Sequence, residues 1–242
     1  MADSTYRALK LGHPPMRPRD AATLVIVRRD GAEPRMLMGR RHVGHTFLPG
    51  KYVFPGGGLD AADCRLRPAA DLDPRVAERL LKRMRGGPSP GRARGLAMAA
   101  VRETFEEVGL VVGLPHAGRH TSRNPAWQKF LATGHAPDLS GLVYFARAIT
   151  PPGRPRRFDT RFFVLDAGHI ANLDHPVTTA SDEILDIDWV TFGDSGELDL
   201  PNITRNILKR LEAALAAPAG LEAAAPASFQ YLSGKTWHED AL

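Results

Sequence analysis

Arg102-Glu103-Thr104-Phe105-Glu106-Glu107-Val108-Gly109-Leu110 sets three glutamates ahead of a glycine. At 100° per residue, Glu103, Glu106 and Glu107 stand at i, i+3 and i+4 and fall within one arc of about 100°. Met98, Val101, Phe105 and Val108 take the opposite arc. The spacing predicts a helix over 95–108 that buries one side and shows a row of acids on the other, with Gly109 ending it in a left-handed conformation. Like charges at this spacing oppose one another by a few tenths of a kcal/mol per pair, and acids beside a helix C-terminus oppose the macrodipole by roughly 0.3–1 kcal/mol each. Stability alone does not select such a row. A hard divalent cation removes the repulsion, and Arg102, four positions before Glu106, can orient the carboxylates from behind. Taken by itself the row also reads as a solvated glutamate face paired with Arg102, so its context has to decide.

That context is Phe54-Pro55-Gly56-Gly57-Gly58, where a short strand runs into glycines that let backbone come close to a ligand. Loop and helix together resemble the Nudix box, G-x5-E-x7-R-E-U-x-E-E-x-G-U with U aliphatic, and residues 102–110 match its second half with Thr104 in place of the first U. The resemblance implies an α/β fold, an α/β/α sandwich with a mixed sheet. It implies Mg²⁺ or Mn²⁺ held by Glu103, Glu106, Glu107 and the carbonyl of Gly56, with Gly57 approaching substrate phosphates and Arg102 orienting the acids. The implied chemistry is metal-assisted attack of water on a diphosphate, with Glu106 and Glu107 central. The spacing departs from the motif: Gly57 and Arg102 are 45 positions apart where a regular box has 14, which leaves about 31 extra residues. These are read as a helical insertion at 61–94. Arg94 stands eight positions before Arg102, where the family's first glutamate is expected, and Asp60, Asp71 and Asp73 are the candidates to replace that acid.

Within the family, the upstream pattern L-L-T-x-R-(S/A)-x3-R-x3-G-x3-F-P-G-G of the CoA diphosphatases is matched in part by Leu37-Met38-Gly39-Arg40, Gly50 and Phe54-Pro55-Gly56-Gly57, with Thr46 at the second Arg. A CoA diphosphatase subgroup with an insertion inside the box is similar also in Phe47-Leu48-Pro49-Gly50 and Arg157-Phe158-Asp159-Thr160-Arg161-Phe162-Phe163. This resemblance implies cleavage of CoA or acyl-CoA to 3′,5′-ADP and (acyl-)phosphopantetheine. Arg40, Arg41, Arg157 and Arg161 are the candidates to grip its phosphates, since guanidinium binds phosphate bidentately; Arg40 and Arg157 read equally well as surface charges. Glu183, with Asp182 as its rival, is similar to a late acid near the metals that can bind metal or accept the proton of the attacking water, and equally to an acid capping a turn. Two alternatives stay open: a diphosphatase of ADP-ribose, ADP-sugars or dinucleotides, and a nucleotide sensor on the same fold that does not cleave.

Bulk properties narrow the classes further. The 242 residues, 43% hydrophobic and 24% charged, suit one domain with a sizeable core. The net charge of +5 is diffuse, and its local blocks, 92–94 and 154–157, read as solvated faces without aromatic interleaving, so no nucleic-acid partner is expected. The single cysteine, Cys64, excludes an intrachain disulfide or a CxxC site, and the absence of any long apolar run excludes a membrane span. A soluble, cytoplasmic protein is expected. His42, His45 and the other histidines lack HExxH spacing, and neither a Gly-x-Ser-x-Gly elbow nor a P-loop is present. Relatives in the family are often dimers, which puts a homodimer among the expected states.

Along the chain we expect an N-terminal arm at 1–20, a domain at 21–216 and a loosely held tail at 217–242. Strands are expected at 22–28, 35–40, 110–112, 141–149, 160–165 and 183–190. Helices are expected from Pro74 to about 84, capped by Asp73, then at 95–108, 127–131 and 202–216, with a breaker-rich linker at 86–91.

Overall fold

The computed structural model describes residues 16–44, 46–118, 120–174, 183–218, 220–221 and 225–242. Most of the arm, His45 and Asp182 lie outside them. The sheet runs β11 (Thr236–Ala241), β10 (Ser228–Ser233), β7 (Val143–Ile149), β8 (Phe158–Asp166), β1 (Arg19–Arg28), β2 (Arg35–Arg41) and β3 (Tyr52–Val53), with β4 (Gly56–Gly58) also pairing β1 and β9 (Ile184–Thr191) pairing β2. Its centre is β1 (Arg19–Arg28), antiparallel to β2 (Arg35–Arg41) and parallel to β8 (Phe158–Asp166). Alternate residues of β1 serve opposite faces, as a strand covered on both sides requires. Ala22, Leu24 and Ile26 join one core cluster, while Val25 and Val27 join the other. The first cluster lies under α1 (Pro74–Leu81), α2 (Pro90–Val108) and α3 (Pro125–Leu131); the second lies under α4 (Asn202–Ala216), which buries Ile207, Leu208 and Leu211. This is the expected sandwich, helices on both faces of a mixed sheet.

Three local expectations are corrected. The acidic helix begins at Pro90 rather than 95, because Ser89 caps it by accepting from the Arg92 N–H at 3.3 Å and Pro90 fits the first turn. The strand expected at 110–112 is displaced: Val112 makes one isolated bridge to Ile170, and β5 (Gly113–Pro115) pairs β6 (His135–Pro137) in a separate two-stranded sheet. Here the Val111 N–H donates to Asn172 Oδ1 and its carbonyl accepts from the Ala171 N–H, so side chain and loop satisfy the backbone without a ladder.

The third correction concerns the expected tail. β10 (Ser228–Ser233) runs parallel to β7 (Val143–Ile149) and antiparallel to β11 (Thr236–Ala241). Ala227, Phe229 and Leu242 enter the core cluster on the α1–α2 side. The alternation of Phe229 and Tyr231 with polar neighbours is a strand signal that the Ala/Pro-rich stretch before it conceals.

Candidate active site

Four elements meet at the acidic row. β4 (Gly56–Gly58) lies antiparallel on β1, pairing Thr23 with Gly56 and Ala22 with Gly57. α2 packs across both strands, which brings residues 51 positions apart into contact: the Gly56 N–H donates to Glu107 Oε2 at 2.8 Å. A side chain at Gly57 would place its Cβ 2.5–2.6 Å from the Glu103 carboxylate atoms. Any larger residue there would have to push the Glu103 carboxylate aside. Gly109 ends the helix at φ 72°, donating its N–H to the Phe105 carbonyl.

Arg102 holds the row from behind. Its Nη1 donates to Glu103 Oε1 at 2.8 Å and Glu106 Oε2 at 2.6 Å, and its Nη2 donates to the Gly58 carbonyl at 2.9 Å. On its other edge, Nε and Nη2 donate to Asp63 Oδ1 and Oδ2 at 2.9 and 3.1 Å. Asp63 is fully buried and also accepts from Trp127 Nε1 of α3 at 2.9 Å. None of the three acids expected to replace the missing glutamate takes this place. Asp60 accepts from the Ala62 N–H, Asp71 pairs with Arg94 at 3.1 Å, and Asp73 caps α1 and pairs with Arg75.

Sequence reasoning missed Asp63 although the signal was present. Counting back from Arg102 gives Arg94, but counting forward from Gly57 by the motif's own spacing gives Asp63. The extra residues therefore fall between Asp63 and Arg102, after the acid rather than before it.

Burial governs the electrostatics of the row. It pushes Glu103 up to about 7 against the opposing charge and hydrogen bond of Arg102. Glu107 is pushed up to about 8, again by burial, with the charges of Glu103 and Glu183 adding to the shift and the Gly56 N–H and Arg41 opposing it. Burial alone would lower Arg102, yet Asp63 and Glu103 raise it above its ordinary value. Among the described residues no three acidic, histidine or cysteine side chains close around a single point. The cation between Glu103 and Glu106 is the Arg102 guanidinium. The donors still fit a hard divalent ion: all are oxygens on one face, held against a loop with no side chain to block access.

The remaining expected residues divide. Arg41 and Glu183 come together at the β2–β9 edge, with Nη2 3.8 Å from Oε2, and both act electrostatically on Glu107. The His42 N–H donates to the Glu183 carbonyl just before β9 (Ile184–Thr191), which anchors that residue. Arg40 donates Nε to Asp186 at 2.6 Å. Arg157 donates to the carbonyls of Thr150 and Met16, at 2.9 and 2.7 Å. Arg161 is buried on β8 and donates to Asp20 at 2.8 Å and to the Asp159 carbonyl at 2.7 Å. The structure thus does not join Arg157 and Arg161 to the acidic row by any described contact.

No family model matches the chain. A solved NUDIX hydrolase from Alicyclobacillus acidocaldarius is 31% identical with a TM-score of 0.61, covering 85% of this chain and 94% of its own. The acyl-coenzyme A diphosphatase NUDT19 of Gallus gallus is 29% identical over 53% of this chain and 47% of its own length. A Caenorhabditis elegans relative that carries a nudix hydrolase name is 25% identical over 71% and 51%. The chain spans about half the length of the curated relatives it matches. Identity to a solved relative over nearly its whole length agrees with the glycine loop, the acidic row and the sandwich fold: the chain belongs to the Nudix hydrolases.

Proposed function

We propose that the chain is a metal-dependent hydrolase that cleaves the diphosphate linkage of CoA or acyl-CoA to 3′,5′-ADP and (acyl-)phosphopantetheine. The observation that carries the reading is the contact of loop and helix, in which Gly56 donates to Glu107 and Gly57 leaves room only for the Glu103 carboxylate. Glu103, Glu106 and Glu107, with the Gly56 carbonyl, would hold Mg²⁺ or Mn²⁺. Bound there, the ion would supply positive charge to polarise the phosphoryl oxygens. Arg102 fixes the acids, and Asp63 fixes Arg102. Glu183, beside Glu107 and Arg41, is the candidate to take the proton of the attacking water. Arg41 would face the substrate phosphates; its partly exposed side chain carries a buried Nε with no hydrogen-bond partner among the described residues.

The CoA branch rests on Arg40, Gly50 and Phe54-Pro55-Gly56-Gly57, together with the similarity to an acyl-coenzyme A diphosphatase. The test is turnover by purified protein with Mg²⁺ or Mn²⁺ against CoA, acyl-CoAs, ADP-ribose, NADH and nucleoside triphosphates. Preference for CoA derivatives, with 3′,5′-ADP released, is expected. Preference for ADP-ribose overturns the CoA branch, and turnover of none overturns the hydrolase reading.

A further inference from the structure

Beneath α1, on the sheet face that also carries α2, guanidinium groups outnumber carboxylates. Arg147 of β7 donates Nε and Nη2 to the two oxygens of Asp159, each at 2.8 Å, and Arg85 donates Nε to Asp159 Oδ2 at 2.9 Å. Arg161 Nη1 donates to Asp20 Oδ1 at 2.8 Å and lies 3.1 Å from Asp159 Oδ1. Asp20 also has Arg92 Nε at 3.7 Å and Arg85 Nη2 at 3.8 Å. Four guanidinium groups, those of Arg85, Arg92, Arg147 and Arg161, thus share two carboxylates. α1 packs on β7, where Arg147 Nη1 donates to the Arg83 carbonyl just past the helix at 2.9 Å, and the buried Arg79 of α1 adds its charge near Tyr144 of β7.

Donors are left over. Arg161 Nε and Nη2, Arg79 Nη1 and Nη2, and Arg92 Nε are buried with no hydrogen-bond partner among the described residues. Arg161 is 1% exposed and Arg79 6%, so bulk water does not serve these atoms. A buried charged donor without an acceptor is among the costlier features a fold can carry, and an acceptor group with several oxygens would relieve those it reaches.

We propose that the seam between α1 and the β7–β8 face binds a dianionic phosphate group, free or carried by a nucleotide. A tetrahedral dianion offers several acceptor oxygens and two negative charges, which suits unused donors from three guanidinium groups. Arg85 and Arg92, with side chains 38% and 27% exposed, form the mouth. The seam is separate from the acidic row: Arg92 precedes Glu103 by 11 residues on one helix, about 16 Å along its axis. Since Arg79 and Arg85 belong to the insertion and Arg147 and Arg161 to the sheet, an occupied site ties one to the other.

The test uses the full chain in EDTA, which removes any phosphate affinity that depends on a divalent ion. Inorganic phosphate and 3′,5′-ADP are titrated separately, with sodium chloride at matched ionic strength, by calorimetry and thermal unfolding. A saturable rise in Tm beyond that in chloride is expected, together with at least tenfold weaker binding in Arg79→Met, whose terminal nitrogens have no partner to lose. Arg92→Met, at the mouth, is the second variant should the first unfold, with the same weakening expected. A response to 3′,5′-ADP but not to phosphate, lost in these variants, supports the site and assigns the nucleotide as its source. No response beyond chloride to either ligand, or an unchanged Kd in the variants, overturns the proposal.

Discussion

Asp63 and Arg102 meet edge to edge through two hydrogen bonds, 2.9 and 3.1 Å, across 39 positions of sequence. Asp63 has no exposed surface, so the pair is shielded from solvent, and the carboxylate sets the plane of the guanidinium that in turn holds Glu103 and Glu106. Removing one partner of a buried pair leaves the other charge uncompensated, which costs about 3–5 kcal/mol. Asp63→Asn should therefore lower Tm and reduce kcat together. Asp63→Glu should recover part of both, a rescue that separates positioning of Arg102 from simple loss of packing.

Gly57→Ala puts a methyl group against the Glu103 carboxylate. The backbone at Gly57 is not in the left-handed region, so the substitution should leave the fold intact. Displacing a group by about 1 Å at a reacting centre can cost on the order of 10²-fold in rate. A kcat lowered by that factor with Tm nearly unchanged is the expected outcome, checked by steady-state kinetics beside thermal unfolding.

Asp159 gives a pH signature independent of the acidic row. Burial alone would raise it, but hydrogen bonds from Arg147 and the charge of Arg161 hold it below the usual carboxylate range. A folded pKa below the unfolded one gives stability that is present above about pH 4 and lost as pH falls through the folded value. Tm should drop on acidification below about pH 4, and Asp159→Asn should flatten that drop while costing about 3–5 kcal/mol at neutral pH.

Ending the chain after residue 226 removes Phe229 and Leu242 from the core, and with them the ring 4.3 Å from Arg147. Each buried side chain of this size contributes about 1.5–3 kcal/mol. The shortened chain should unfold at a much lower temperature than the parent or fail to stay in solution, as scanning calorimetry would show. An unchanged Tm would restore the reading of 217–242 as a loose tail.

How far the sequence could be read followed the range of the interactions concerned. α4 was legible to the residue, because apolar periodicity and Pro201 are local signals. Asp73 as the cap of α1 was local as well. The glutamate row was visible as a helix face, but nothing within it distinguished a site from a solvated surface; the glycine loop did that. Asp63 was hidden by counting from one side of an insertion. Arg161 looked like a ligand for phosphate in sequence, yet its strand register against Ala22 buries it, a long-range fact that no window of sequence contains. The β10–β11 hairpin was lost behind the alanines and prolines that precede it.

If Glu107, buried against Gly56 at the end of the acidic row, serves a metal centre that hydrolyses a diphosphate, turnover must depend on its carboxylate. The most direct test is the Mg²⁺-dependent release of 3′,5′-ADP from CoA by wild-type protein and by Glu107→Gln, whose near-identical shape keeps the contact with the loop while removing the charge. Turnover in the wild type and a loss of at least about 10²-fold in kcat/KM, about 2.7 kcal/mol or more, in the variant are expected. Equal rates in the two proteins would contradict this role of Glu107.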